Sequence, residues 1–196
     1  YPPSGWENKK LTLSILNGDM FSIAGSTGIT LENLVIEAGL KNGIVIDDAS
    51  SNNSIDKCII RNFNQWGIRI LGTNNIVDNC EVYNVGGGGV KLGLEKKTFH
   101  LAAENNVVQN STIHDIAWDQ KSQVPGITLS GCGNKAIGNE IYDAPHFGIK
   151  YRQSRECVAE KNKIHDLPNY HYFDGGALYL GLGNNFYQRE NLVKNN

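Results

Sequence analysis

Two short motifs lie at the ends of the segment Ile60-Arg61-Asn62-Phe63-Asn64-Gln65-Trp66-Gly67-Ile68-Arg69-Ile70, and both motifs recur along the chain. One end is an aliphatic residue, any residue, then Asn or Asp; the other is a glycine followed by alternating aliphatic residues. The glycine phrase begins at Gly43, Gly67, Gly89, Gly126, Gly148 and Gly176, and its spacing is 22 to 24 residues where no insertion intervenes. Short alternating strands at this period predict an all-β parallel β-helix (solenoid) of about seven coils.

Length and composition fit one folded domain. The 196 residues carry a net charge of −2, with 40% hydrophobic and 19% charged residues. The small net charge provides no field that would attract nucleic acid, and no run of 18 apolar residues could form a membrane-spanning helix. We therefore expect a single β-helix domain over residues 1–196, with neither nucleic acid nor a membrane as partner.

The chain ends indicate a piece of a longer protein. The N-terminal residues 1–6 do not resemble a signal peptide, so a leader has been removed or the sequence begins inside a longer chain. The end of a solenoid exposes unpaired strand edges, which missing domains or another chain are predicted to cap.

The four cysteines indicate buried thiols. Cys58 and Cys80 each precede a core aliphatic residue by two positions, so they should stack in neighbouring coils. A ladder of reduced thiols is favoured, with a disulfide as the alternative. Cys132 and Cys157 lack the spacing of a zinc site.

Two coils carry insertions at equivalent positions. Gly148 follows Ile141 by seven positions, but Gly126 follows Ile113 by 13 positions and Gly176 follows Ile164 by 12. The inserted segments 117–125 and 167–174 should therefore leave the solenoid at the same edge, with a third expansion, 94–105, at the opposite end of the strand. Insertions of this kind often form binding walls, although loops without a task are the alternative. Candidate contacts to a substrate on these loops are Trp118, Asp119, His171 and Tyr172.

Alternation along the glycine strands predicts which side chains face outward. Two residues before the glycine, His146 should lie next to Asp174 in the following coil. Lys150 and Arg152 should face outward beside His146, and Lys91 occupies the position of Lys150 two coils earlier. These three cations are further candidate contacts to a substrate. We expect the glycines to leave a low floor where a ligand can approach the backbone.

The Asn and Asp residues of the other phrase are expected to have mainly a structural role at a turn. His114 and His165 each precede an aspartate and could pair with it. Asp143, followed by Ala144-Pro145-His146, is the member of this column expected to lean into the cleft.

Residues 86–181 resemble a bacterial family of right-handed parallel β-helix proteins in the pectate-lyase-like superfamily. The resemblance is carried by Gly86-Gly87-Gly88-Gly89-Val90, Asn110–Asp115, Pro125–Leu129, Asp143–Ile149, Asn162–Asp166 and Asp174–Tyr179. It implies a right-handed parallel β-helix and a branch that includes α-L-fucosidase and xylanase activities. In that branch carboxylates are catalytic, so the resemblance implies a catalytic role for Asp174.

Three functions follow from these residues. The first is a glycoside hydrolase acting on plant or bacterial polysaccharide, with Asp174 and Asp143 as the paired carboxylates and His146 orienting or sharing a proton with Asp174. Asp119, on the neighbouring loop, is the substitute carboxylate. The second is a polysaccharide lyase or uronate epimerase that uses Lys150, Arg152 and His146 on an acidic glycan. The third is a non-catalytic solenoid that binds a polysaccharide or oligosaccharide through aromatic rings.

No metal site or cofactor is predicted. Calcium, which lyases often use, would need a cluster of acidic residues, and Asp47-Asp48 alone is too small a group.

Overall fold

The chain folds into a solenoid whose walls are three parallel β-sheets. In this computed structural model, residues 13–94, 102–168, 175–180 and 190–196 are described, and no helix occurs within them. The same residues contain no helix that could cross a membrane. The strands of the first sheet are β1 (Phe21–Ile23), β4 (Ile44–Ile46), β7 (Ile68–Ile70), β10 (Val90–Leu92), β13 (Pro125–Cys132), β16 (Phe147–Arg155) and β19 (Gly176–Leu180). Those of the second are β2 (Thr30–Glu32), β5 (Ser54–Asp56), β8 (Ile76–Asp78), β11 (Val107–Gln109), β14 (Lys135–Ile137), β17 (Val158–Glu160) and β20 (Leu192–Lys194). Those of the third are β3 (Val35–Gly39), β6 (Ile59–Phe63), β9 (Glu81–Val85), β12 (Thr112–Ile116), β15 (Glu140–Ile141) and β18 (Lys163–Ile164).

Equivalent positions of the repeat stack in register, which confirms the predicted fold. Ile44 pairs with Ile68, and the same row continues through Val90, Ile127 and Ile149. In the third sheet Ile60 pairs with Val82, which pairs with Ile113. These aliphatic residues are fully buried in one continuous core, so about six turns share a single interior.

The glycines of the repeat face the interior, so the expected low outer floor is wrong. A Cβ atom added to Gly67 would lie less than 3.0 Å from the Val82 side chain, and one added to Gly126 would collide in the same way with Ile141. The same corner between the third and first sheets, filled by an aliphatic residue of the next coil, is occupied by Gly43, Gly67, Gly89, Gly126 and Gly148. Gly176 makes no such contact. This contact explains why the two phrases of the repeat occur together.

A ladder of buried asparagines holds successive coils together. The Oδ1 atom of Asn75 accepts from the backbone N–H and the Nδ2 group of Asn53 at 2.9 and 3.0 Å, and Asn106 accepts from Asn75 in the same way. Asn134 continues the ladder below Asn106. Because these backbone groups are buried at a corner where strand pairing is interrupted, the amides provide partners that neighbouring strands do not.

All four cysteines are free and buried, as predicted for Cys58 and Cys80. Burial raises the pKa of the Cys80 thiol to about 12, which keeps it protonated and unreactive. At the C-terminal end, Leu192 and Val193 of β20 are exposed. The capping of the solenoid ends by further domains or another chain stays a prediction.

The last strand of the first sheet, β19, is shifted by one residue from the predicted register. Phe147 pairs with Gly176 and Lys150 pairs with Tyr179, whereas the repeat had aligned Gly148 with Gly176. A shift of one residue exchanges the two faces of a strand. It places the larger apolar side chain of Leu178 against the core and Tyr179 on the outer face, the reverse of the prediction.

The insertions leave the solenoid where the spacing predicts. Residues 117–124 connect β12 to β13, and residues 165–175 connect β18 to β19, so both insertions leave the solenoid at the corner between the third and first sheets, two coils apart. The expansion between β10 and β11 leaves from the opposite end of the first sheet.

Candidate functional site

A cleft of about 450 Å³ lies at the corner from which both insertions leave. Its walls come from the 117–124 loop through Trp118 and Lys121, and from the second insertion through Pro168. Asp143 and Pro145, from the short connection between the two insertions, complete the centre. The first insertion, residues 117–124, is longer than the connection at residues 142–146, and this difference in length raises one wall of the cleft.

Two carboxylates enter the cleft from successive coils. Asp115 and Asp143 both line it. Ile113 lies two residues before Asp115, and Ile141 lies two residues before Asp143. Because Ile113 pairs with Ile141, the two aspartates occupy equivalent positions in neighbouring coils. Both have a left-handed backbone, with φ of 48° and 47°. Asn and Asp adopt this conformation more readily than other non-glycine residues, which explains their recurrence at the corner.

Histidines pair with the outer carboxylates of the column, as expected from their position in the sequence. The His114 Nδ1 atom lies 2.8 Å from Asp115 Oδ2, and the His165 Nδ1 atom lies 2.7 Å from Asp166 Oδ2. Asp143, between these two aspartates, is preceded by Tyr142 in place of a histidine. Its backbone N–H donates to the Asp166 carbonyl oxygen at 3.0 Å, which fixes the turn that presents its carboxylate.

A stacked ladder of rings on the third sheet supports this column. Tyr83, His114, Tyr142 and His165 stack in that order, with centroid distances of 5.0, 4.7 and 5.3 Å. Burial, followed by the charges of nearby carboxylates, raises the pKa of Tyr142. Hydrogen bonds from His165 to Asp166 and Glu140 raise the pKa of this histidine. The ladder therefore orders the side chains immediately before the cleft aspartates.

Trp118 presents the largest exposed aromatic surface of the cleft. Its side chain is 51% exposed at the wall, and the backbone around it is anchored. The N–H groups of Asp119 and Gln120 donate to the carbonyl oxygen of Gly86 at 3.2 and 3.0 Å, and that of Ala117 donates to Gly87 at 2.9 Å. Asp119 itself is exposed on the loop. The glycine-rich turn thus serves as the base on which the loop rests.

His146 is buried beneath the same loop. It is only 3% exposed, its Nδ1 atom accepts a hydrogen bond from the backbone N–H of Gln123, and its ring stacks on Phe147 with 4.0 Å between centroids. In the neutral ring this contact places the proton on Nε2. The histidine therefore holds the end of the loop against the first sheet.

Lys150 is also held by Gln123, the loop residue that contacts His146. It is 7% exposed, and its Nζ atom donates to Gln123 Oε1 at 2.8 Å. The ammonium group lies 4.9 and 5.4 Å from the ring centroids of Phe147 and Tyr179, which themselves stack at 4.4 Å. A cation between aromatic faces and an amide oxygen anchors the loop.

The other predicted cations lie on the outer face of the first sheet. Lys91 has its Nζ atom 5.7 Å from the Trp66 ring centroid. Arg152 is exposed and pairs with Ser130 in β13. Neither residue is among those that line the cleft.

Three predicted site residues, Asp174, His171 and Tyr172, lie outside the described residues. The prediction that Asp174 neighbours His146 rested on aligning Gly176 with Gly148, and that alignment is wrong by one residue. A catalytic role for Asp174, implied by the family resemblance, stays a prediction.

Sequence reasoning gave Asp115 only a structural role, although it lines the cleft beside Asp143. The in-register Asp column was the signal that could have found it, because neighbouring coils place equivalent residues side by side. Within the described ranges, no group of three or more His, Cys, Asp or Glu side chains could hold a metal ion.

Fold and cleft together define a class of protein, a parallel solenoid with a loop-walled groove at one corner. Residues 19–99 and 99–196 both match the family described as right handed beta helix region, and the chain belongs to that family. No curated protein matches the sequence.

Two solved structures share the fold. A structure named glycoside hydrolase is similar with a TM-score of 0.63 and 16% identity, over 87% of this chain and 34% of that chain. The crystal structure of pectate lyase Pel9A is similar with a TM-score of 0.51 and 14% identity, over 69% of this chain and 34% of that one. The chain thus spans about a third of the length of each, and the likeness concerns the fold.

Proposed function

We propose that the chain is a carbohydrate-active protein that hydrolyses glycosidic bonds in the cleft between its two inserted loops. The observation that carries this proposal is the pair of in-register carboxylates, Asp115 and Asp143, that share one cleft with the exposed ring of Trp118. The names of the two fold neighbours, a glycoside hydrolase and a pectate lyase, agree with action on glycans. A polymeric substrate of this kind is met outside the cytoplasm, so the proposal includes a secreted or periplasmic location.

The spacing of the coils suits the chemistry of hydrolysis. Neighbouring coils are about 4.8 Å apart, and retaining glycosidases hold their two carboxyl groups about 5 to 5.5 Å apart. We assign Asp143 as the proton donor to the leaving oxygen. Asp115, oriented by His114, is the carboxylate that faces the developing positive charge at the anomeric carbon. Asp174 remains the alternative second carboxylate.

Trp118 gives the cleft a surface on which a sugar ring can stack. Aromatic faces bind the apolar C–H face of a sugar while its hydroxyl groups remain available to polar side chains. Lys121, on the same loop, supplies a donor at the wall. A ring stacked there would lie beside the aspartate column, with its glycosidic oxygen within reach of a carboxyl group.

The geometry gives less support to a lyase or epimerase. Such an enzyme needs a base that reaches the substrate, and the predicted candidates His146 and Lys150 are buried and hydrogen-bonded to Gln123. Arg152 is exposed on the first sheet, apart from the residues that line the cleft.

Product analysis on a panel of polysaccharides tests the proposal. A hydrolase releases reducing ends without an unsaturated product, a lyase releases a product with an ultraviolet-absorbing double bond, and a binding protein retains the glycan without releasing product. Either of the last two results would contradict the proposed function.

Asp143→Asn is the decisive variant. The same corner position already holds Asn62 and Asn84 in other coils, so asparagine fits the left-handed backbone. We expect the hydrolytic rate to fall by about 10² to 10⁴ with an unchanged circular dichroism spectrum. Asp48→Asn, at an exposed aspartate on the far side of the repeat, is the matched control and should keep the rate.

A further inference from the structure

A second cleft of about 440 Å³ adjoins the first. It is bordered by Ala38, Leu40, Asn62 and Asn64, and it shares Asn84 and Trp118 with the cleft described above. The Trp118 ring is therefore a wall common to both spaces. An exposed tryptophan between two clefts has surface available to a ligand on either side.

The two clefts follow the axis of the solenoid. Residues of one corner column border them in the order Ala38, Asn62, Asn84, Asp115 and Asp143, with one residue from each successive coil. All five have a left-handed backbone, so the column does not change direction between the clefts. Coils advance by about 4.8 Å, a step comparable to one sugar ring in an extended glycan chain.

The two halves differ in charge. None of the described residues lining the second cleft is ionisable; amides, the Ser14 hydroxyl, backbone and apolar side chains form it. The first cleft carries the two aspartates and one lysine, Lys121. A uronate polymer would bring carboxylates close to Asp115 and Asp143, with a single cation in the lining to offset them.

The amides of the second cleft suit hydroxyl groups. Asn84 Nδ2 donates to Asn62 Oδ1 at 2.6 Å, which orients both side chains. Each amide has a further donor or acceptor atom beyond this bond. Leu40, 45% exposed, adds an apolar surface beside them. Paired amides next to apolar surface match the alternation of hydroxyl groups and C–H faces along a sugar chain.

We propose that the two clefts form one groove that binds an uncharged polysaccharide along the solenoid axis across Trp118. The acidic half holds the bond to be cleaved, and the amide half holds the neighbouring sugars. The assignment of the reacting half rests on the proposed function; the groove and its preference for uncharged chains rest on the lining residues alone.

Affinity electrophoresis tests the preference for uncharged chains. The protein is run through gels containing a neutral polymer (arabinoxylan or galactomannan) or an anionic one (polygalacturonate or alginate). We expect retardation by a neutral polymer and none by the anionic polymers. Retardation by an anionic polymer alone, or by none of the four, would overturn the inference.

Chain length tests the continuity of the groove. With oligosaccharides from the retarding polymer, affinity measured by calorimetry should rise at least about tenfold once the chain is long enough to cross Trp118. In Leu40→Asp this rise should disappear, whereas Leu34→Asp, a comparably exposed leucine outside the groove, should keep it. A rise that survives Leu40→Asp would show that the second cleft does not take part.

A reducing-end assay on the same samples separates this inference from the proposed function. Length-dependent binding without product would contradict hydrolysis and leave the groove in place. Product formation without length dependence would overturn the groove and leave hydrolysis in place.

Discussion

Replacing Asn75 by alanine should destabilise the solenoid through one identifiable group. Asn75 is fully buried, and its Oδ1 atom is the acceptor for the Asn53 backbone N–H. In Asn75→Ala that N–H loses the acceptor while staying buried. The Asn53 side chain keeps its bond to the Ser26 carbonyl oxygen, and Asn106 Oδ1 keeps the Asn75 backbone N–H.

The expected cost follows from these contacts. An unsatisfied buried donor costs about 1 to 3 kcal/mol, and the space left by the amide adds about 1 to 2 kcal/mol. We therefore expect the free energy of unfolding to fall by about 2 to 5 kcal/mol. Asn64→Ala, at an exposed asparagine, should change it by no more than about 0.5 kcal/mol.

Urea denaturation followed by circular dichroism measures both variants, and Asn75→Asp separates the hydrogen bond from the cavity. Aspartate keeps the volume and the acceptor toward Asn53, but at neutral pH it places an acceptor against Asn106 Oδ1, where Asn75 Nδ2 donates at 3.0 Å. Its destabilisation should shrink at acid pH, where a protonated carboxyl can donate. If Asn75→Asp is as stable as the wild type at pH 7, the reasoning is refuted.

Three further predictions concern the corner glycine, the loop anchor and the histidine ladder. Gly126→Ala should cost about 1 to 3 kcal/mol in urea denaturation because its Cβ would overlap a buried isoleucine; Gly18→Ala, with open space around it, is the control, and equal costs would contradict the steric argument. Lys150→Met should speed proteolytic cleavage within residues 117–124, because the charge-assisted hydrogen bond to the loop is lost; cleavage at the wild-type rate would exclude an anchoring role. Since its two carboxylate partners raise the pKa of His165 above 6.5, its stabilising contribution should be full below pH 6.5 and decline as pH rises through the raised value. The difference in thermal midpoint between the wild type and His165→Gln should shrink over that range, and a difference that grows with pH would contradict the assignment.

The parallel solenoid could be predicted because its information is local and repeated. Each coil repeats the same alternation of aliphatic and polar residues. Because a strand has only two faces, the positions of the aliphatic residues determine which side chains are buried. The lengths of the insertions likewise predicted their common corner. The pairing of His114 and His165 with the following aspartates was predictable because those residues are adjacent in the chain.

The predicted strand register was wrong near Gly176, where the repeat pattern fits two alternative alignments with the preceding coil equally well. Near Gly176, the residues Gly175, Gly176 and Ala177 are all small, so the repeat alone did not reveal which of them takes the corner. The structure places Ala177 there, opposite Gly148, because this register buries Leu178. Contact between coils decided the choice, since only packing distinguishes a buried leucine from a buried alanine.

Strand alternation and repeat length are properties of the chain, so the solenoid, the stacking of its coils and the corner from which the loops emerge could be predicted before any contact was known. The composition of the cleft depends instead on how the loops pack against the coils. Tertiary packing buried His146 and Lys150 beneath Gln123 and brought Asp115 beside Asp143 and Trp118. The physical reason is that a loop without a repeat takes its conformation from the surface on which it packs, and that surface exists only once the coils have assembled.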